Sequence, residues 1–196
     1  MNIKFRLLFP YLLIAAIFLI GFIFWKFIAV SKKKPTLFET ISADSSGIKF
    51  QNDIKTSDSL NIFSFEYIYN GGGVGVGDFN GDGLPDLFFV GNMVPSSLYL
   101  NEGNFHFKDI TTSSKINTSG AWSFGVSVVD INQDGLPDIY LCAGGPATPD
   151  SLYHNKLFIN QGNDSKGDPF FKEMAAEYGL RDQGQSTLTG LSVGAG

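Results

Sequence analysis

Two hydrophobic patterns divide the chain. From Leu7 to Trp25 the residues are uncharged and nearly all apolar, and from Val74 onward short apolar runs alternate with clusters of Gly, Asp, Asn and Pro. The first pattern predicts one apolar helix, roughly 28 Å long at ~1.5 Å per residue, close to the hydrocarbon thickness of a bilayer. Lys4 and Arg6 precede it, and Lys26 and Lys32, Lys33 and Lys34 follow. It exceeds the ~7–15 apolar residues of a cleaved signal, so residues 1–36 read as a membrane anchor. Ala29-Val30-Ser31 supplies small residues for the alternative of cleavage. Basic residues at both ends leave the orientation open.

The second pattern predicts strands. Val74 and Val76, and later Val128, stand among small residues in runs that end at an aspartate. Leu87–Val90 and Ile139–Cys142 are unbroken apolar runs, the signature of strands covered on both faces. Leu98-Tyr99-Leu100 and Leu157-Phe158-Ile159 end at the turns Asn101-Glu102-Gly103 and Asn160-Gln161-Gly162. The segments are copies of one another: GVGVGDFNGDGLPDLFFVGN at residues 73–92 matches FGVSVVDINQDGLPDIYLCAGG at 124–145, and SLYLNEGN at 97–104 matches KLFINQGN at 156–163. A third element recurs as Phe38-Glu39-Thr40-Ile41, Phe107-Lys108-Asp109-Ile110 and Phe171-Lys172-Glu173-Met174, followed by the apolar stops Ile48, Ile116 and Leu180. The unit is about 65 residues long, present in two copies plus the start of another. Three or four strands per unit fit a propeller blade, so the fold class is all-β, with residues 37–196 forming two to three blades. Leu191–Gly196 reads as the strand before a further loop, so the propeller is expected to be incomplete at its C-terminal end.

Charge sharpens the picture. The net charge of −5 conceals an N-terminal 38 residues with no acid and six of the fourteen bases, leaving eight bases against nineteen acids in the remainder. Such a body repels a phosphate backbone, so nucleic acid is excluded as a partner. Cations suit it instead.

The acids concentrate in two nine-residue loops that share D-x-N-x-D-G-L-P-D, namely Asp78–Asp86 and Asp130–Asp138. Calcium takes about six to eight oxygen ligands at ~2.3–2.6 Å. Asp78, Asn80, Asp82 and Asp86 offer side-chain oxygens in the first loop, with the carbonyl of Leu84 between them; Asp130, Asn132, Asp134, Asp138 and Leu136 repeat the set. Glycine at position six permits the sharp turn through positive φ. Without His or Cys the set disfavours zinc and copper, and magnesium's strict octahedron suits it less well. An EF-hand is rejected, because it needs Glu at position twelve, where Phe89 and Leu141 stand in apolar runs.

Other features carry less. Cys142, the single cysteine, is expected to be a buried small hydrophobe. Asn70-Gly71-Gly72-Gly73 lacks the G-K-[ST] of a phosphate loop and reads as close strand packing. His106 and His154 sit in no nucleophile–base arrangement, although Tyr153-His154-Asn155 lies in an insertion suited to ligand contact. Asn117 and Asn163 head short sequons. Catalysis is not expected.

These stretches resemble the FG-GAP/VCBS repeat family, in particular its ASPIC/UnbV-associated type in exported bacterial proteins. The resemblance covers residues 37–190. It implies a β-propeller like that of integrin α chains, with calcium on loops between blade strands and the ten loop residues named above as ligands. It further implies adhesion, binding of an extracellular protein or glycan, or scaffolding at the cell envelope. A polysaccharide-acting propeller enzyme is the alternative, and it would require acid, base or Arg groups beyond the calcium carboxylates.

Overall fold

A computed structural model describes residues 14–26, 36–145 and 154–181. The chain divides into two compact units, Met1–Thr40 and Ile41–Gly196. In the first, residues 14–26 form a helix, α1, whose apolar side chains are exposed from Ile14 to Trp25. Among the described residues no helix is long and apolar enough to cross a membrane. Residues 7–13 of the expected anchor lie outside the described residues, as do the flanking residues 27–35 and the C-terminal run 191–196.

The second unit is built from two antiparallel four-stranded meanders. Strands β1 (Val74–Gly77), β2 (Asp86–Phe89), β3 (Ser97–Asn101) and β4 (Phe107–Asp109) follow one another in the first sheet; β5 (Trp122–Val129), β6 (Asp138–Gly144), β7 (Lys156–Asn163) and β8 (Pro169–Glu173) repeat that order in the second. Each loop joins the first strand of a sheet to the second, and its last aspartate opens that second strand. Such sheets have the form of propeller blades.

Alternation along the strands decides what lies between the blades. Phe88, Val90, Leu98 and Leu100 of the first join Ile139, Leu141, Phe158 and Phe171 of the second in one buried cluster. The opposite face of β2 and β3 is covered differently: Phe89 stacks on Phe50 at 5.3 Å and meets Tyr99 edge-on at 5.7 Å. Residues 48–50 thus cap the side turned away from the second blade. The apolar run of β2 is covered on two sides, by a sheet and by a loop segment.

Glycine sets the inter-blade distance. A β-carbon at Gly75 would lie 3.0 Å from Val128 Cγ2 and 3.2 Å from Val126 Cγ2, and one at Gly77 would lie 2.9 Å from Val128 Cγ1. The valines of β5 therefore nest on a glycine face of β1. Gly75→Val is predicted to cost about 1–3 kcal/mol through overpacking, measured by urea unfolding, with Val128→Ala recovering part of the loss in the double variant. An additive pair of effects would show that the two positions do not share this contact. Gly72 is equally confined, its β-carbon position falling against the Val90 carbonyl oxygen, and that of Gly73 lies 3.3 Å from Val126 Cγ1, so close packing accounts for Gly72 and Gly73, whereas Gly71 has open space beside it and takes φ 75°.

One expectation is corrected, and one repeat element takes different conformations in its copies. Cys142 is exposed: Leu141 points into the core, so its neighbour points out, and the residue opposite in register is Gly125, which has no side chain to cover it. Residues 38–41 are not a strand, whereas the matching elements at Phe107 and Phe171 pair with β3 and β7. Phe38 is 90 % exposed. The recurring tetrapeptide becomes the fourth strand of a blade only where a third strand stands beside it.

Candidate cation loops

Each loop folds around its own carboxylates. Asp78 Oδ1 accepts the backbone N–H groups of Gly81 and Asp82 at 2.8 and 3.0 Å, and Oδ2 accepts that of Gly83 at 2.8 Å. Asp82 Oδ1 accepts Leu84 N–H at 2.8 Å, and Asn80 Oδ1 accepts Asp82 N–H at 3.1 Å. Asn80 Nδ2 donates to Asp82 Oδ2 at 2.9 Å, so these two side chains already converge. The second loop repeats the scheme, with Asp130 Oδ1 and Oδ2 accepting Asp134 and Gly135 N–H at 3.1 and 2.8 Å. Asp134 Oδ1 accepts from Leu136 at 2.9 Å, Asn132 Oδ1 accepts from Asp134 at 3.2 Å, and Asn132 Nδ2 meets Asp134 Oδ2 at 2.7 Å. Gly83 and Gly135 take φ of 85° and 88°, the left-handed turn expected of glycine at position six.

Asp86 and Asp138 differ from the rest. Both are fully buried. Asp86 Oδ2 accepts Phe79 N–H and Oδ1 accepts Asn101 N–H, each at 2.8 Å. Asp138 accepts Ile131 N–H at 3.0 Å and Asn160 N–H at 2.8 Å. Each carboxylate ties the start of its loop to the third strand, at Asn101 in β3 and Asn160 in β7. Sequence reasoning grouped them with the exposed acids as ligands, and the structure adds this anchoring task.

Burial has an electrostatic consequence. Loss of solvent pushes the Asp86 carboxyl up to about 6; the N–H donors of Asn101 and Phe79 oppose this, and the neighbouring charges of Asp82 and Asp78 reinforce it. Asp138 is raised by the same burial, against Asn160 and Ile131 and with Asp134 and Asp130. A raised folded-state pKa contributes stability that is fully present below the ordinary carboxylate range and is lost as pH rises through about 6. We predict that carboxyl ¹³C shifts, followed by NMR in the presence of chelator, will titrate near 6 for Asp86. Asp138 should lie above the usual range as well. A midpoint at or below that of an exposed aspartate would mean that the two N–H donors outweigh burial.

The donor chemistry fits calcium: three carboxylates, one amide oxygen and a backbone carbonyl per loop are all hard oxygens. Carboxylate oxygens hold several lone pairs each, so an N–H bond does not use up a donor. The side chains are not closed around a common point, and among the described residues no group of three or more His, Cys, Asp or Glu is placed to hold an ion. A calcium ion held there would supply positive charge that offsets the repulsion among the carboxylates of each loop.

The remaining candidates lie apart. His106 Nδ1 contacts Glu102 Oε2 at 2.8 Å on an exposed hairpin tip. The amide of Asn163, head of a sequon, is engaged with the Asn80 carbonyl at 2.7 Å. Sequence reading took Asn160 only for a turn residue, and its Oδ1 does accept Gly162 N–H at 3.0 Å. Its Nδ2, however, donates to the Phe79 carbonyl at 2.9 Å. The Asn-x-Gly spacing was the available signal, and it holds no information about the other blade.

Two four-stranded antiparallel sheets with matched loops define a propeller-type repeat. Residues 78–141 match the family model described as FG-GAP-like repeat. The matched stretch opens on the first aspartate of the first loop and closes on Leu141 in β6, so it contains both loops.

Proposed function

We propose that this chain is an exported, calcium-binding propeller repeat protein of the VCBS, ASPIC/UnbV-associated type. It serves as a binding, adhesion or scaffolding module at the cell envelope. The observation that carries this reading is the duplicated D-x-N-x-D-G-L-P-D loop, placed identically in two blades with oxygen donors alone. Calcium on Asp78, Asn80, Asp82, Leu84 and Asp86, and on their counterparts in the second loop, offsets the repulsion among acids and stiffens the turn between inner strands. Its partner is an extracellular protein or glycan, which an acidic surface presenting calcium can engage, and nucleic acid is not bound. The N-terminal apolar segment attaches the chain to the membrane; the all-round apolar surface of α1 supports this, because a helix without a polar face does not rest in water.

Protease accessibility tests export and calcium together. Spheroplasts of a bacterial host expressing the full chain are treated with protease in calcium or in chelator. The repeat should resist digestion in calcium and be cleaved from outside in chelator. Cleavage only after lysis would contradict export, and equal resistance in both media would contradict the calcium role.

A further inference from the structure

The chain holds two Asn-Gly pairs, Asn70-Gly71 and Asn80-Gly81. Such a pair is chemically labile. The backbone nitrogen after the asparagine can attack the side-chain amide carbon, and glycine has no β-carbon to hinder the approach. Asn80-Gly81 fills positions three and four of the first loop, where the second loop has Asn132-Gln133. Gly81 takes φ 76°, with nothing within 4 Å of the place a β-carbon would occupy.

The folded loop restrains both reacting groups. Gly81 N–H donates to Asp78 Oδ1 at 2.8 Å. The Asn80 amide is held at both ends by Asp82: its Oδ1 accepts Asp82 N–H at 3.1 Å, and its Nδ2 donates to Asp82 Oδ2 at 2.9 Å. The main-chain carbonyl of Asn80 accepts Asn163 Nδ2 at 2.7 Å. Attack requires the amide to turn its carbon face toward the Gly81 nitrogen. The two bonds to Asp82 oppose that rotation, and the bond to Asp78 holds the nitrogen.

We propose that Asn80-Gly81 is a site of spontaneous modification, deamidation through a succinimide, which the intact first loop holds in check and the second loop avoids. In the first step the Gly81 nitrogen bonds to Asn80 Cγ, the Cγ–Nδ2 bond breaks, and the Gly81 proton leaves with Nδ2 as ammonia. Water then opens the ring, at Cγ to give aspartate or at the main-chain carbonyl carbon to give isoaspartate. Nothing is oxidised or reduced. Isoaspartate adds a methylene to the main chain between Asp78 and Gly83, whose N–H Asp78 Oδ2 accepts at 2.8 Å, so the loop no longer closes as before. Aspartate keeps an oxygen at position three but sets it against Asp82 Oδ2, where an N–H donor stood. On the calcium reading above, a cation on Asn80 Oδ1 adds a further restraint, and the first loop ages chiefly while it is empty.

Peptide-mapping mass spectrometry of the full chain in detergent, incubated at mildly alkaline pH, tests this by the mass gained at each asparagine. Asn70-Gly71 is the internal control for the chemistry. In chelator, Asn80 should convert about thirty-fold more slowly in folded protein than in urea, the equivalent of two net hydrogen bonds. Asp82→Ala removes the Nδ2 acceptor at an exposed position and should raise the folded rate about five-fold, the equivalent of one. Gly81→Gln, carrying the residue that the second loop accommodates at φ 60°, should abolish conversion at Asn80, and Asn132 should stay unconverted over the same interval. Conversion of Asn80 as fast in folded protein as in urea, or a folded rate unmoved by Asp82→Ala, would overturn the inference. Calcium should slow the wild-type conversion. Equal rates in calcium and chelator, with the other results as expected, would uphold the modification site and contradict the calcium reading of the loop.

Discussion

Asp86→Ala is expected to cost about 2–6 kcal/mol of folding stability, whereas Asp82→Ala in chelator should cost less than about 1 kcal/mol. The two residues belong to the same nine-residue motif, and a ligand role alone would make them equivalent. Asp86 is fully buried, and its removal strands the N–H groups of Phe79 and Asn101. A buried donor left without an acceptor costs about 1–3 kcal/mol, and here there are two. Asp82 is exposed, so water replaces its bonds to Leu84 and Asn80 at the small cost usual for surface sites. Asp86→Asn should fall between, keeping one acceptor and turning an amide N–H₂ toward a second donor. Urea unfolding of the three variants in chelator measures the difference. Equal losses for Asp82→Ala and Asp86→Ala would contradict the anchoring role, and Asp138→Ala should behave like Asp86→Ala.

Calcium is expected to have the second large effect. At about 10 mM calcium, a site with Kd near ~10⁻⁴ M gains about 2.7 kcal/mol by linkage. For two such sites in a domain of this size the melting temperature should rise by roughly 10–20 °C. Magnesium at the same concentration should give little, since its octahedral demand does not match these loops. Asp82→Ala with Asp134→Ala should abolish the increment without unfolding the chelated protein, because both residues are exposed. A rise of the same size in magnesium would point to general screening of an acidic surface.

Much of the fold was legible in the sequence because a blade is a local object. Period-two runs, Asn-x-Gly turns and the duplicated aspartate loops marked β1 to β3 and β5 to β7, all of which lie in meanders of consecutive strands. The recurring Phe-x-x-Ile and Phe-x-x-Met elements marked the repeat period without marking a strand, and they form β4 and β8. What escaped depended on partners distant in the chain. Phe38–Ile41 has the fourth strand's sequence without its conformation, since a strand is defined by its neighbour. Cys142 sits in an apolar run, but parity and the bareness of Gly125 opposite leave it exposed. Within the loops, composition placed Asp78 through Asp86 in one ligand set. Only the third strand's N–H, fifteen residues away in sequence from Asp86, sets that aspartate apart. Asn163 is further removed, reaching a carbonyl 83 residues earlier.

Equilibrium dialysis of the full chain against radioactive calcium, with magnesium in excess and with the protein shown folded by circular dichroism, tests the central claim most directly. Two calcium ions per chain should be retained, one after either Asp82→Ala or Asp134→Ala, and none after both. Folded protein that retains no calcium above background, or that retains it undiminished in the double variant, would contradict the assignment of these loops as calcium sites.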